Sequence, residues 1–248
     1  REYLSTGKRL AVVGKPCDIA ALKQYMAVYP EKTCNILYTF SMMCMGLPSH
    51  KATLEMTEYL GVDPQTIRNI RYRGFGWPGK AVVESQDGTK KECTYIQSWG
   101  AILGRDTLFR CKLCPNGFGE FADISCGDAW YCKNGNPSFN NDEAGRSFIF
   151  IRSDKGKELV EQAIADGAIV VEPYDMKEMP FIQKSQYQRK VNIPIRYVLY
   201  KILVNPQFRL KGFRLIHLCK IAGVRSLIKD GRGFIGRWWR GYKGHKKC

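Results

Sequence analysis

Apolar runs short enough for buried strands alternate with stretches of helical periodicity along the first 60 residues. Lys8-Arg-Leu-Ala-Val-Val13 reads as such a strand, Gly14 as its turn, and Asp18 to Met26 as a helix with Ile19, Leu22 and Met26 on one stripe. The pattern then repeats. Cys34 to Met43 predicts a second buried strand, Gly46 and Pro48 break it, and Ser49 is placed to cap a helix over residues 50–60. Strands joined through helices run parallel, which puts both turns at one edge of the sheet and brings Cys17 and Cys44 near each other.

The pattern changes after residue 61. Lys80 to Ser85 and Lys90 to Tyr95 flank Asp87-Gly88, the signature of an antiparallel hairpin. Ala122 to Trp130 reads as a strand ending in a tight turn, and Ser147 to Arg152 as another strand. Lys155 to Asp166 predicts an amphipathic helix closed by Gly167, and Ala168 to Glu172 a further strand that would complete a β-α-β unit. The fold class is therefore α/β (mixed α+β), with parallel and antiparallel sheets and flanking helices. No run of 18 apolar residues and no signal peptide is visible. The chain starts at Arg1 rather than Met, as expected of a fragment or a processed product.

Charge divides the chain more sharply than hydropathy. Of 39 Lys and Arg, 17 lie in residues 184–248, where Asp230 is the only acid; the 22 bases and 22 acids before them cancel. The expected division is a neutral domain over residues 1–183 and a basic, helical, amphipathic extension over residues 184–248. Cationic and aromatic residues interleave there, as in Arg237-Trp-Trp-Arg240, which fits an anionic membrane surface or an acidic partner. A solvated basic appendage is the plainer reading. No motif supports nucleic acid.

Ten cysteines raise the question of what they bind. A secreted disulfide framework usually staples far smaller domains, so a reduced cytosolic protein with a metal or iron–sulfur centre fits better. Cys111 and Cys114 form a C-x-x-C pair, and Cys17 and Cys44 sit in turns; together they are a full thiolate set for a 4Fe-4S cluster or a structural zinc. Spacing does not separate the two. Cys17 falls near a helix start, where a thiolate is favoured. Cys34 and Cys219, in apolar runs, read as small core residues. Gly14 and Lys15 have the strand–turn–helix setting that holds a phosphate. Arg71, Arg73 and Gly74 can meet an anionic ligand, although strand arginines are commonly just solvated. Asp123 and Asp128 read as turn-fixing residues.

Three segments, Gly14-Lys-Pro-Cys-Asp-Ile-Ala-Ala-Leu22, Cys44-Met-Gly-Leu-Pro-Ser49, and Arg110-Cys-x-x-Cys114 followed by Ala122-Asp-Ile-Ser-x-Gly-Asp-Ala-Trp130, resemble in order those of the coenzyme F420 hydrogenase/dehydrogenase beta subunit family. The resemblance spans residues 8–172. It implies a flavoprotein with FAD beside a 4Fe-4S cluster ligated by Cys17, Cys44, Cys111 and Cys114, passing electrons to coenzyme F420 or another small-molecule acceptor. It also implies a ferredoxin-like domain or protein as electron partner. Gly14 and Lys15 would hold the FAD pyrophosphate, and Arg71 or Arg73 a reduced flavin or an acidic substrate. The basic tail is more similar to bacterial relatives associated with polysaccharide biosynthesis, where coenzyme F420 need not be the partner. The expected location is cytoplasmic, with peripheral attachment at the inner membrane face. The competing reading is a non-catalytic, zinc-stabilised α/β module that docks through its tail.

Overall fold

The computed structural model of the protein describes residues 2–139, 144–204, 210 and 212–245. Two compact units account for it: residues 1–111 with 116–184, and residues 112–115 with 185–248. Pro206 and Cys248 lie outside the described residues.

The first unit opens with β1 (Leu10–Gly14), α1 (Pro16–Val28), the short α2 (Pro30–Thr33) and β2 (Ile36–Met42). It continues through α3 (His50–Tyr59), β3 (Ile67–Arg71), β4 (Ala81–Ser85), β5 (Lys90–Cys93) and β6 (Ile124–Asp128). The short pair β7 (Cys132–Lys133) and β8 (Asn136–Pro137), then β9 (Ser147–Ile151), α4 (Asp154–Ala165) and α5 (Met179–Ile182), complete it.

Its main sheet has the order β1-β2-β6-β9. β1, β2 and β6 run parallel, and β9 closes the far side antiparallel to β6. The mixture of parallel and antiparallel strands is the one expected. β1 is an edge strand, so the predicted burial is only partial: alternate residues are exposed and Val13 is 65% accessible. A second, antiparallel sheet, β3-β4-β5, leaves the main sheet after β2 and returns before β6. Its hairpin turns at Asp87-Gly88, where Gly88 takes φ +86°. Ala52 and Met56 of α3 pack with Ala81, Val83, Cys93 and Leu103 in the core of this sheet. Ser49 caps α3 as anticipated, its hydroxyl accepting from the Ala52 N–H at 3.0 Å.

Two expectations fail. Residues 168–172 form no strand: the N–H groups of Ala168 and Ile169 both donate to the Ala163 carbonyl, closing α4 over Gly167, and so are not available to a sheet ladder. Val170 is 99% exposed, and β9 and α4 are not part of a β-α-β unit. Cys34 is exposed at the end of α2 rather than in the core, and Cys219 is half-buried.

The second unit is helical: α6 (Lys184–Val204), α7 (Leu215–Ala222) and α8 (Val224–His245). Val191, Ile193 and Leu218 form its core, and Phe234 of α8 is fully buried. The Arg196 guanidinium pairs bidentately with Asp230 at 2.6 Å and also donates to the Lys112 carbonyl. Among its described residues the basic segment is thus a packed helical body rather than a solvated appendage. No helix among the described residues is long and apolar enough to cross a membrane.

Candidate metal centre

Because β1, β2 and β6 are parallel neighbours, their carboxyl ends at Gly14, Met42 and Asp128 lie along one edge of the sheet. At about 4.8 Å per strand, the outer two are about 10 Å apart. The turns that follow β1 and β2 carry Lys15, Cys17 and Cys44.

Cys17 stands in the first turn of α1. Asp18 reaches back to accept from the Lys15 backbone N–H at 3.2 Å, and its carboxylate pairs with the Lys15 ammonium at 2.7 Å. Burial pushes the Cys17 thiol up, and the Asp18 carboxylate adds to this while Lys15 opposes it. The low-pKa thiolate anticipated at a helix start is therefore not what this local environment favours. Cys44 lies close enough to contribute to the field at both Cys17 and Lys15.

The chain leaves β2 held by two backbone bonds: Met43 N–H to the Cys126 carbonyl at 2.7 Å and Cys44 N–H to the Gly117 carbonyl at 2.9 Å. Three residues on, the Leu47 N–H donates to Cys111 Sγ at 3.5 Å. Gly46 has φ +133°, and a Cβ there would stand 3.2 Å from the Cys111 Cβ and 3.3 Å from Thr107, so the close approach requires glycine. Cys17, Cys44 and Cys111 are thus brought to one region of the first unit. Cys114 lies in the 112–115 segment that clusters with the second unit, three residues beyond Cys111. The nine described cysteines form no disulfides. Among the described residues no three His, Cys, Asp or Glu side chains stand at metal-holding separation. The donor chemistry nevertheless fits a thiophilic metal: thiols on turns, one already receiving a backbone N–H, as a sulfur ligand needs to hold its charge.

The other expected binding residues divide into two groups. Gly14 and Lys15 lie beside Cys17, and the Asp18 carboxylate accepts from the Lys15 N–H and pairs with its ammonium. A Cβ at Gly14 would stand 3.3 Å from Asp18 Cβ and 3.4 Å from Ile19, so this glycine serves packing. Arg71 ends β3, and Arg73 and Gly74 lie in the loop between β3 and β4. Arg73 pairs with Asp128 and donates to the Pro78 carbonyl, with its guanidinium 5.1 Å from the Trp77 ring centroid and 5.0 Å from that of Trp130. This contact ties the second sheet to the carboxyl end of β6. Nearby, Arg71 Nε and Trp77 Nε1 are buried and find no acceptor among the described residues. Gly79 has φ +80°, and a Cβ there would come 2.9 Å from the Gly74 carbonyl, so the loop folds tightly on itself. Two orphaned buried donors beside an arginine-bearing loop fit a ligand with anionic or carbonyl oxygens.

Three positions escaped the sequence reading. Asn116 is 4% exposed; it donates to the Pro16 carbonyl at 3.1 Å and accepts from the Glu120 N–H at 2.7 Å. Asp128 partners Arg73 across the two sheets rather than fixing a turn. Asp123 is buried at the start of β6, accepting from the Thr39 N–H and hydroxyl at 2.8 and 2.7 Å and from Ser153 at 2.9 Å, with Lys23 and Lys155 beside it. Burial pushes its carboxyl up, but these donors outweigh it and hold the pKa at about 2. A polar residue in an otherwise apolar strand segment was the available signal.

Ligands of open α/β sheets bind outside the carboxyl ends of the strands, and that is the edge at which Cys17, Cys44, Cys111 and the Arg73–Asp128 pair lie. The chain belongs to the family defined by the C terminus of the coenzyme F420 hydrogenase/dehydrogenase beta subunit, whose profile matches residues 7–177. It is 26% identical over 184 residues to the F420-dependent formate dehydrogenase subunit beta of Methanocaldococcus jannaschii, covering 74% of this chain and 44% of that protein. The chain therefore spans less than half the length of this relative. It shares its fold with a chain of the F420-reducing NiFe hydrogenase complex from Methanosarcina barkeri, at TM-score 0.53 and 19% identity, over 82% of this chain and 66% of that one.

Proposed function

We propose that this chain is the electron-transferring part of an oxidoreductase, in which Cys17, Cys44, Cys111 and Cys114 ligate a 4Fe-4S cluster and an FAD passes electrons on to coenzyme F420 or another small acceptor. The observation that carries the reading is the gathering of the turns bearing Cys17, Cys44 and Cys111 at the carboxyl edge of β1 and β2, with Cys114 three residues further along the chain. Family membership supports the redox class. When bound, the cluster would supply one-electron and the flavin two-electron chemistry.

The residues of the chain have separable tasks in this reading. The four thiols bind the metal. The Leu47 N–H, donating to Cys111, stabilises negative charge on that sulfur. Lys15, beside Cys17 and Cys44, contributes positive charge to the same region. Arg71 and the Gly74–Gly79 loop offer donors to the anionic part of the flavin or acceptor. Trp77, Tyr95 and Trp130 around Arg73 keep water from that side. Gly14 orders the entry to α1 through packing.

Anaerobic purification with a visible spectrum and counts of iron, sulfide, zinc and flavin tests the proposal. A brown protein bleached by dithionite, with 4Fe-4S stoichiometry, is expected. A colourless protein holding one tightly bound zinc overturns it.

A further inference from the structure

The oxidoreductase reading uses none of the surface of α8, and that surface has a definite pattern. The helix buries Phe234 and Gly231 on one side; a Cβ at Gly231 would meet Ile195 and Leu199 of α6 at 3.1 and 3.3 Å. Asp230 lies toward this side, engaged by Arg196. The rest of the circumference exposes Val224, Arg225, Ile228, Lys229, Arg232, Ile235 and Trp239. At about 100° per residue, Val224, Ile228, Ile235 and Trp239 fall within about 60° of arc bordering the buried side, and Arg225, Lys229 and Arg232 within the next 60° or so. The apolar four are not marginally accessible: they are 73%, 51%, 43% and 52% exposed. The helix thus presents an apolar stripe alongside a cationic one, with no acid on either.

We infer that α8 lies in the interface of an anionic lipid bilayer, with Val224, Ile228, Ile235 and Trp239 entering the acyl boundary and Arg225, Lys229 and Arg232 meeting the headgroup phosphates. Charge complementarity selects the occupant. Residues 184–248 carry 17 bases and one acid, and Arg196 neutralises that acid inside the unit. A polyanion such as nucleic acid would use the cations but leave four exposed apolar side chains in water, whereas a bilayer uses both stripes. No helix among the described residues spans a membrane, so the attachment is parallel to the surface.

The test is sedimentation of the full chain with phosphatidylcholine vesicles, with and without phosphatidylglycerol, with circular dichroism confirming that each variant is folded. Binding only to the anionic vesicles is expected, together with a blue shift of tryptophan emission. Arg225→Gln with Lys229→Gln and Arg232→Gln should weaken partitioning about 100-fold, at ~5-fold per cation. Ile228→Ser with Ile235→Ser and Trp239→Ser, at unchanged charge, should weaken it by about 10-fold or more. Absence of vesicle binding, or equal binding to neutral and anionic vesicles, overturns the inference. So does a serine variant that binds like the parent; tight association of that variant with duplex DNA or polyglutamate would then identify a plain polyanion site.

Discussion

The Asn116 side-chain amide donates to the Pro16 carbonyl at 3.1 Å, joining the segment that follows Cys114 to the residue that precedes Cys17 across 100 positions of sequence. It ties the chain two residues after Cys114 to the residue before Cys17. Replacing Asn116 by Ala removes this bond and the one its oxygen accepts from the Glu120 N–H. A loss of about 2–3 kcal/mol is expected, read from the shift in urea midpoint. Iron content per folded chain should fall with it.

The cysteines divide into two groups with different expected consequences. Ser replacement at Cys17, Cys44, Cys111 or Cys114 should strip the visible absorbance of anaerobically prepared protein. Cys34→Ser, at an exposed position on the end of α2, should leave iron and spectrum unchanged. A full iron count in Cys111→Ser would remove Cys111 from the ligand set.

Asp123 gives a defined acid dependence. Its carboxyl titrates at about 2 in the folded chain against 3.8 for the free side chain. A depressed carboxylate stabilises the fold fully above the unfolded value, and the contribution is lost as pH falls from about 4 to about 2. The size is about 2 kcal/mol, since each tenfold difference in proton affinity is worth about 1.4 kcal/mol. Asp123→Asn should be less stable than the parent near neutral pH and should flatten the acid limb of stability against pH, measured by urea titration at each pH. An unchanged acid limb would rule Asp123 out as its source.

Arg73 and Asp128 form a pair whose side chains are 27% and 32% exposed, so its strength is moderated by solvent. A double-mutant cycle with Arg73→Met and Asp128→Asn should give a coupling of about 1 kcal/mol. Arg73→Lys should not restore it, because the ammonium cannot bond Asp128 and the Pro78 carbonyl in one plane while stacking on Trp77 and Trp130.

What could be read from the sequence was what is written locally. The turn after β1, the Ser49 cap and the Asp87-Gly88 hairpin each follow from a few adjacent residues, and the parallel pairing of β1 with β2 follows from the helix between them. The family segments singled out Cys17, Cys44, Cys111 and Cys114 as a candidate set. Partners chosen across long separations were not readable: Arg73 and Asp128 are 55 residues apart, and neither neighbourhood specifies the other. Asp123 looked like a turn residue because a carboxylate in a strand gives no sign of the Thr39, Ser153 and lysine groups that surround it. The strand expected at 168–172 failed through a competing local use of its N–H groups at the end of α4.

The second sheet is an excursion between β2 and β6, and its two stems are fastened together. Cys44 N–H bonds the Gly117 carbonyl, Ser49 N–H the Asp106 carbonyl and Leu108 N–H the Leu47 carbonyl, while Pro48 bridges Thr107. Cys44 and Cys111 stand on opposite stems of this fastening. Any group bound by both therefore acts as a crosslink across the excursion, restricting the unfolded chain as a disulfide at the same places would, by about 4 kcal/mol on chain-entropy grounds. A cluster held as proposed would then be a topological staple, and its chelation would loosen the β3-β4-β5 sheet.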